Sequence, residues 1–161
     1  MTLPAQALHS GSYTPQAVVN GQVELVGSQR DNLTTAIARA ARAPRATVAL
    51  QQTGGAALAV RVSELPVGTR PANVVLAVTE SGLSTRVGRG ENAGRTLQHT
   101  SVVRSLRALG VVGADGTFAA TVPVDLAADW QAGHLRAVVL VQERDSRRIV
   151  GVSHLALETV N

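Results

Sequence analysis

The chain has 161 residues, of which 45% are hydrophobic and 16% charged, and its formal net charge is +4. This balance is typical of a folded globular chain and excludes an intrinsically disordered one. There is no cysteine, and all fifteen Lys or Arg positions are arginine. The composition therefore excludes thiol nucleophiles, disulfides, Schiff-base chemistry and the lysine of a phosphate-binding P-loop.

The first predicted elements are a hairpin and a helix. Asn20-Gly21 is a strong two-residue hairpin signal, and short valine-containing runs flank it on both sides. The helix is predicted to begin at Ser28, an N-cap residue with Asp31 three positions later, and to end before Pro44. This order predicts a β-β-α segment.

From residue 46 onward the apolar residues recur with a period of two, which is typical of half-buried β-strands. Strand 83–87 is expected to pair with strand 73–79 across Ser81-Gly82. Residues 96–109 fit a helix by their apolar spacing and a strand by their Thr, Ser and Val content, and we assign a strand. The other strands are predicted at residues 48–50, 58–62, 116–124, 135–143 and 149–157. The fold class is therefore α+β, with a mainly antiparallel, sandwich-like β domain after the β-β-α segment.

Pro44 marks the expected boundary between two folded regions. We expect a disordered N-terminus over residues 1–12, the β-β-α segment over 13–44 and the β-rich domain over 45–161. The β-β-α segment is too small to bury a core of its own, so it must dock on the second domain or on a partner. An exposed β edge on its hairpin would be a homodimer site.

A stretch rich in glycine and arginine is the candidate binding site. Between Arg86 and Arg107 five arginines face one acid, Glu91, so this stretch carries +4, the whole formal net charge of the chain. Arginine side chains and the N–H groups of a glycine loop can hold a carboxylate or a phosphate. We therefore expect an anionic ligand or a protein partner here. The residues assigned to the site are Arg89, Gly90, Glu91, Asn92, Gly94, Arg95, His99 and Arg104.

A purely structural role for this loop is the alternative, in which Arg95 pairs with Glu91 and only pins the loop. The glycine spacing does not fit the dinucleotide-binding pattern. Three scattered aromatic residues supply no stacking platform, so nucleic acid is not expected as a partner.

No complete catalytic constellation is present in the sequence. The four histidines lack the spacing of a zinc site, and no nucleophile elbow occurs, so we expect no metal and no cofactor, and the sequence leaves enzymatic activity open. No run is long and apolar enough for a membrane span, and the first residues lack the features of a signal peptide. If translation starts at this methionine, the expected location is cytoplasmic.

Two motifs carry a resemblance to a known family. Tyr13-Thr14-Pro15, followed by the Asn20-Gly21 hairpin, resembles the second half of a thioredoxin fold. Residues 90–104, GENAGRTLQHTSVVR, resemble the signature of secreted thioredoxin-like bacterial proteins grouped as domain-of-unknown-function family 1223. The likeness runs from about residue 13 to residue 157.

The resemblance implies a periplasmic or secreted protein in which Thr14 and Pro15 match a cis-proline loop. It also implies a Cys-x-x-Cys half, which this chain lacks. The leading hypothesis is therefore a non-enzymatic accessory module that binds an anion or a partner. The alternative is a fragment of an exported thiol-disulfide oxidoreductase whose Cys-x-x-Cys lies upstream.

Overall fold

The computed structural model describes residues 13–158, so the predicted disorder of residues 1–12 lies outside the described part of the chain. Within residues 13–158 the fold is mostly antiparallel β-sheet with one short helix, so its class is α+β or mainly β. The elements are β1 (Gln16–Val19), β2 (Val23–Val26), α1 (Arg30–Ala41), β3 (Thr47–Thr53), β4 (Ala57–Ser63), β5 (Ala72–Glu80), β6 (Leu83–Arg86), β7 (Thr96–His99), β8 (Val102–Val111), β9 (Phe118–Pro123), β10 (Leu135–Glu143) and β11 (Ile149–Ala156).

The predicted N-terminal hairpin and helix are confirmed. β1 and β2 pair antiparallel, and Asn20 and Gly21 between them have φ of 54° and 66°, as a two-residue turn with both φ positive requires. Helix α1 follows directly, but none of its residues is buried. The helix is therefore held by the hairpin beside it and presents most of its surface to solvent.

The predicted N-cap at Ser28 is wrong. The helix begins at Arg30 with Gln29 as N-cap, and no side chain caps it. Ser28 still belongs to the turn that leaves β2, because its carbonyl oxygen accepts a hydrogen bond from the Arg30 N–H at 3.0 Å. Asn32 instead donates its side-chain amide to Gln29 Oε1 at 2.9 Å.

Two larger sheets form the body of the protein. The four-stranded sheet has the order β11-β10-β5-β8 and the three-stranded sheet the order β3-β4-β9. Alternate residues of β4 and β10 and most residues of β5 are buried, and apolar residues of these strands join residues of β11 in one hydrophobic cluster. The fully buried aliphatic side chains include Leu58, Val62, Val74, Val139 and Val141. Each contributes up to about 1.5–3 kcal/mol through burial.

The two larger sheets approach each other closely where β3 lies against β11. The Ala46 N–H donates to the Val150 carbonyl at 2.7 Å. A Cβ added at Gly151 would lie 3.1 Å from both Ala46 Cβ and Val48 Cγ2. A small residue at position 151 therefore allows the start of β3 to pack against β11.

The predicted pairing of strand 83–87 with strand 73–79 is wrong. β5 lies between β10 and β8, and β6 pairs only with β7. β5 has nine residues, most of them buried, so only partners of similar length can satisfy its backbone and cover its side chains. β6 has four residues and turns away after Gly82, whose φ is +77°.

The strand assigned to residues 96–109 is confirmed in kind, although it is two strands instead of one. β7 ends at His99 and β8 begins at Val102. Between them Ser101 has φ of 52°, a left-handed conformation that breaks the extended chain. Its N–H donates to Ser81 Oγ at 3.1 Å, which joins the two ends of the β6–β7 hairpin.

The N-terminal hairpin meets the body through its turn. The Ile149 N–H donates to the Asn20 carbonyl at 3.1 Å, and Gln22 Nε2 donates to the Ser146 carbonyl at 2.6 Å. A Cβ on Gly21 would lie 2.0 Å from the Arg147 carbonyl oxygen, so the turn can dock only without a side chain at this position. The contact joins the β1–β2 turn to the β10–β11 turn.

Candidate functional site

The glycine- and arginine-rich stretch forms the tip of a projecting hairpin. β6 and β7 pair from Leu83 with His99 to Arg86 with Thr96, and residues 87–95 form the loop. Among residues 13–158 no strand or helix other than β6 and β7 themselves packs extensively on this hairpin. We call residues 83–99 the arginine arm.

The backbone of the loop is closed by its own hydrogen bonds. The Val87 N–H donates to the Arg95 carbonyl at 2.9 Å, and the Gly94 N–H donates to the Val87 carbonyl at 2.8 Å. Gly90 and Gly94 have φ of +88° and +82°, values that glycine adopts at little cost. The loop therefore keeps a defined shape without help from the body.

Turn formation occupies part of the expected N–H donor set. The N–H groups of Ala93 and Arg95 donate to the carbonyls of Gly90 and Asn92, at 3.0 and 3.1 Å. The N–H groups of Ala93, Gly94 and Arg95 are therefore all bonded to carbonyls of the loop itself. Only the N–H groups of residues 88–92, which donate no hydrogen bond within the described chain, remain for an anion.

The charged side chains of the arm point to solvent. Arg86, Arg89 and Arg95 are all exposed, as are Glu91 and Asn92. None of these three arginines forms an ion pair with a residue in 13–158, so the contact between Arg95 and Glu91 that the structural alternative assumes is not formed. The structure thus brings Arg89, Gly90, Glu91, Asn92, Gly94 and Arg95 together on one exposed loop.

His99 lies at the base of the arm, away from this tip. Its Nε2 is 3.0 Å from Thr85 Oγ1 on the opposite strand. The histidine is half-buried and faces Leu83 in the strand register. The contact gives His99 Nε2 a hydrogen-bond partner on the neighbouring strand. It does not bring His99 to the glycine loop.

Arg104 is engaged elsewhere as well. Its Nε lies 3.2 Å from Glu80 Oε2, and its Nη2 lies 3.8 Å from Asp129 Oδ2. The guanidinium carbon also stands over the Trp130 ring, 5.4 Å from the ring centroid. Two carboxylates and an aromatic face therefore occupy Arg104, which leaves little of its charge for an external anion.

The partner of Arg104 is a carboxylate that the sequence analysis did not single out. Glu80 ends the apolar strand β5 and is only 1% exposed. Its Oε1 accepts a hydrogen bond from the Gln131 N–H at 2.8 Å. Its Oε2 has the ion pair with Arg104 but no hydrogen bond of its own within the described residues. An acid at the end of a buried apolar strand is a signal that could have predicted such an ion pair.

The Glu80 cluster lies at the root of the arginine arm. The next residue, Ser81, donates its N–H to the His134 carbonyl at 3.1 Å, and His134 Nδ1 is 3.1 Å from the Ser81 carbonyl. Because Ser101 bonds to Ser81 Oγ, both ends of the arm are attached to this corner. The cluster can position the arm, and both of its carboxylates lie beside its single cation, Arg104.

A second buried carboxylate, Glu143, ends β10 and is 3% exposed. Burial by itself raises the pKa of Glu143, but hydrogen bonds from Ser146 Oγ, the Arg70 N–H and the Arg148 guanidinium outweigh it. The pKa of Glu143 is therefore held below its usual range. The Arg70 N–H and Arg148 Nη2 lie 3.0 and 2.9 Å from Oε1, so this group ties the loop before β5 to the β10–β11 turn.

Within residues 13–158 no cluster of three or more His, Asp or Glu side chains is arranged to hold a metal ion. No helix in this part of the chain has the length and apolarity needed to cross a membrane.

Comparison with known proteins supplies a family. The model of a protein family of unknown function, DUF1223, matches residues 3–142. The chain belongs to the DUF1223 family. No curated protein and no solved structure matches it.

The DUF1223 match contains the arginine arm, Glu80 and Arg104, and it ends one residue before Glu143. It begins earlier than the resemblance at residue 13 and ends earlier than residue 157. It also contains Thr14 and Pro15, and the peptide bond between them is cis.

Proposed function

We propose that this DUF1223 protein is a non-enzymatic binding module that uses the tip of the arginine arm to contact an anionic ligand or an anionic partner. The observation that carries the proposal is the grouping of Arg86, Arg89 and Arg95 on one projecting hairpin, exposed and without ion pairs in residues 13–158. Glu91 is the single acid between them.

The geometry supports recognition of oxyanions. Arginine presents a planar fork of N–H donors that fits a carboxylate or a phosphate, and loop N–H groups add further donors. The N–H groups of residues 88–92, which include Arg89 itself, are free of internal bonds in the described chain. The self-closed turns hold this loop in shape, which lowers the entropy lost on binding.

The proposal is tested with a double variant, Arg89→Gln with Arg95→Gln, and a matched control, Arg61→Gln. Arg61 is exposed on β4 and forms no ion pair with a residue in 13–158. Amide NMR shifts are recorded while inorganic phosphate, and separately a short poly-glutamate peptide, is added. We expect shifts at residues 88–95 that the double variant loses and the control keeps.

Two results would oppose the proposal. The first is that neither probe shifts the loop amides of the parent protein. The second is that the double variant responds as strongly as the parent. If Glu91→Ala and Arg95→Ala lower the melting temperature while the response to both probes is unchanged, the loop is structural.

The same proposal includes a sandwich-like arrangement of the two larger sheets and a partial thioredoxin-like β-β-α segment in front of them. The single hydrophobic cluster shared by both sheets supports the first part, and the order β1-β2-α1 supports the second. The family resemblance also supports a periplasmic or secreted location. Fractionation of cells that express the native gene would test it, and a purely cytoplasmic protein would contradict it.

A further inference from the structure

β8 is the longest strand of the described chain and lies at the end of its sheet. One side of its ten residues pairs with β5, from Val102 to Val111. The sheet order gives the other side no strand paired through the backbone in residues 13–158, and β9 approaches β8 where the Arg107 side chain donates to the Pro123 carbonyl. A strand in this position presents a row of backbone N–H and C=O groups that can pair with another chain.

The side chains of β8 add apolar surface to this edge. Val103, Leu106 and Val111 are 56%, 64% and 51% exposed. The register with β5 is irregular near Arg104 and Leu109 but regular from Ser105 to Ala108. This regular stretch, with Leu106 at its centre, is the part best suited to pair with an added strand.

The arginine arm lies next to this edge in the chain. Two residues, Thr100 and Ser101, separate β7 from β8. The arm brings Arg86, Arg89 and Arg95, whereas no acid lies between Glu91 and the end of β8. Leu97 on the arm is also 38% exposed. The combined surface is basic and aliphatic, so its complement is acidic and aliphatic.

A second copy of this chain does not have that complement. Antiparallel pairing of β8 with itself around Leu106 would make the two Arg107 side chains diagonal neighbours and place the two arginine arms at opposite ends of the interface. β8 carries no acidic residue, so a second copy would offer the arginines of β8 and of the arm no carboxylate to pair with. The same charges would attract an acidic segment.

A nucleic acid is acidic but lacks aliphatic side chains for Leu106 and Val103. Base recognition on a strand surface usually needs stacking platforms. Of the three aromatic residues, Phe118 and Trp130 pack against the hydrophobic core and Tyr13 lies before β1, so none lies on β6, β7 or β8. The exposed aliphatic residues favour a polypeptide.

From this combination we infer that β8 and the arginine arm bind an extended segment of another polypeptide, in which acidic and aliphatic residues alternate. The segment adds to the free edge of β8 as a fifth strand of the β11-β10-β5-β8 sheet, and its carboxylates contact the arm. This inference rests on the proposed function of the arm and names its partner.

The probe for this inference is a synthetic peptide of alternating glutamate and valine with ten residues, the length of β8. Two further peptides are N-methylated at all odd or at all even positions. An added strand uses alternate N–H groups to pair with one neighbour. One methylated peptide should therefore bind like the parent, and the other should bind at least about tenfold more weakly, because it loses several hydrogen bonds.

Amide hydrogen exchange and variants locate the contact. We expect the peptide to slow exchange of alternate amides in residues 103–109. The variant Val103→Thr with Leu106→Thr keeps β propensity and should lower the affinity about tenfold. Val152→Thr is the matched control, because Val152 is 51% exposed on β11, at the far end of the same sheet. It should leave the affinity unchanged.

Each contrary outcome has a separate meaning. If both methylated peptides bind equally while binding still needs Arg89 and Arg95, strand addition is wrong and the proposed function stands. If inorganic phosphate binds the arm but no acidic peptide binds, the polypeptide partner is wrong. If a poly-thymidine oligonucleotide binds more tightly than the peptide, the partner class is wrong. If Leu106→Arg abolishes a dimer seen by sedimentation, a second copy occupies the edge instead.

Discussion

Arg104 and Glu80 form an ion pair that joins β8 to the end of β5, with Nε 3.2 Å from an oxygen of a carboxylate that is 1% exposed. The pair explains why an arginine from the basic stretch is absent from the candidate site. A carboxylate buried so deeply requires a cation beside it, because the protein interior solvates charge poorly. The neighbouring Trp130 ring lies over the guanidinium, while the Arg104 side chain remains 29% exposed.

Removal of Arg104 should destabilise the protein more than its partly exposed position suggests. We expect Arg104→Met to lower the free energy of unfolding by about 1–3 kcal/mol, because it leaves the Glu80 charge without its cation. Urea unfolding measures the change. The double variant Glu80→Gln with Arg104→Met should recover part of the loss. A change of less than about 0.5 kcal/mol for Arg104→Met, within the range usual for surface substitutions, would contradict this account.

Substitution of Gly21 should undock the N-terminal hairpin. In Gly21→Ala the new Cβ would meet the Arg147 carbonyl oxygen at 2.0 Å, in addition to the strain of φ +66°. Gly55→Ala is the control, because Gly55 has φ of +75° and nothing within 4 Å of an added Cβ.

We expect each variant to cost about 1 kcal/mol of unfolding free energy through its positive φ. Only Gly21→Ala should also speed hydrogen exchange of the Ile149 amide, which donates to Asn20. Equal exchange rates at Ile149 in both variants would show that the turn contact is not formed in solution.

Glu143 should make stability depend on pH in the acidic range. Because its pKa in the folded protein is below the usual glutamate value, its contribution is fully present above the unfolded pKa of about 4.3 and is lost as pH falls through the folded pKa. We expect the difference in unfolding free energy between the parent and Glu143→Gln to shrink as pH is lowered from neutral to about 2. Chemical unfolding at a series of pH values measures it, and a constant difference would contradict the role given to the three hydrogen bonds.

Removal of the N-terminal unit should leave the body folded. None of the buried residues in the hydrophobic cluster precedes Ala46, and α1 buries no residue. A chain of residues 44–161 keeps the bond from Ala46 to Val150, so we expect its melting temperature to fall by less than about 5 °C, roughly 1 kcal/mol. Calorimetry of both chains measures this. A much larger fall would mean that the β-β-α segment is an integral part of the fold.

Features that depend on neighbouring residues were predicted well from the sequence. The Asn20-Gly21 turn, the strands β10 and β11 and the glycine loop lie where the pattern placed them. Their signals are local, because a tight turn needs residues that accept positive φ and a strand buried on one face needs alternating apolar residues. The sequence spacing alone likewise predicted that the residues from Arg89 to Arg95 lie on one loop.

Pairing and burial between distant segments depended on the whole fold. β6 was assigned to β5 by proximity in the chain, but β5 pairs with β8 and β10 because those strands match its length and cover its apolar side chains. Arg104 was assigned to the loop by its charge, but the buried Glu80 competes for it more strongly than an exposed site could. The conformation of a tight turn depends on the dihedral angles of a few adjacent residues, so a short stretch of sequence can predict it. The partner of a strand, or of a buried charge, is another group that the folded chain brings into the same low-dielectric interior. That group lies far away in the sequence, so no local pattern predicts it.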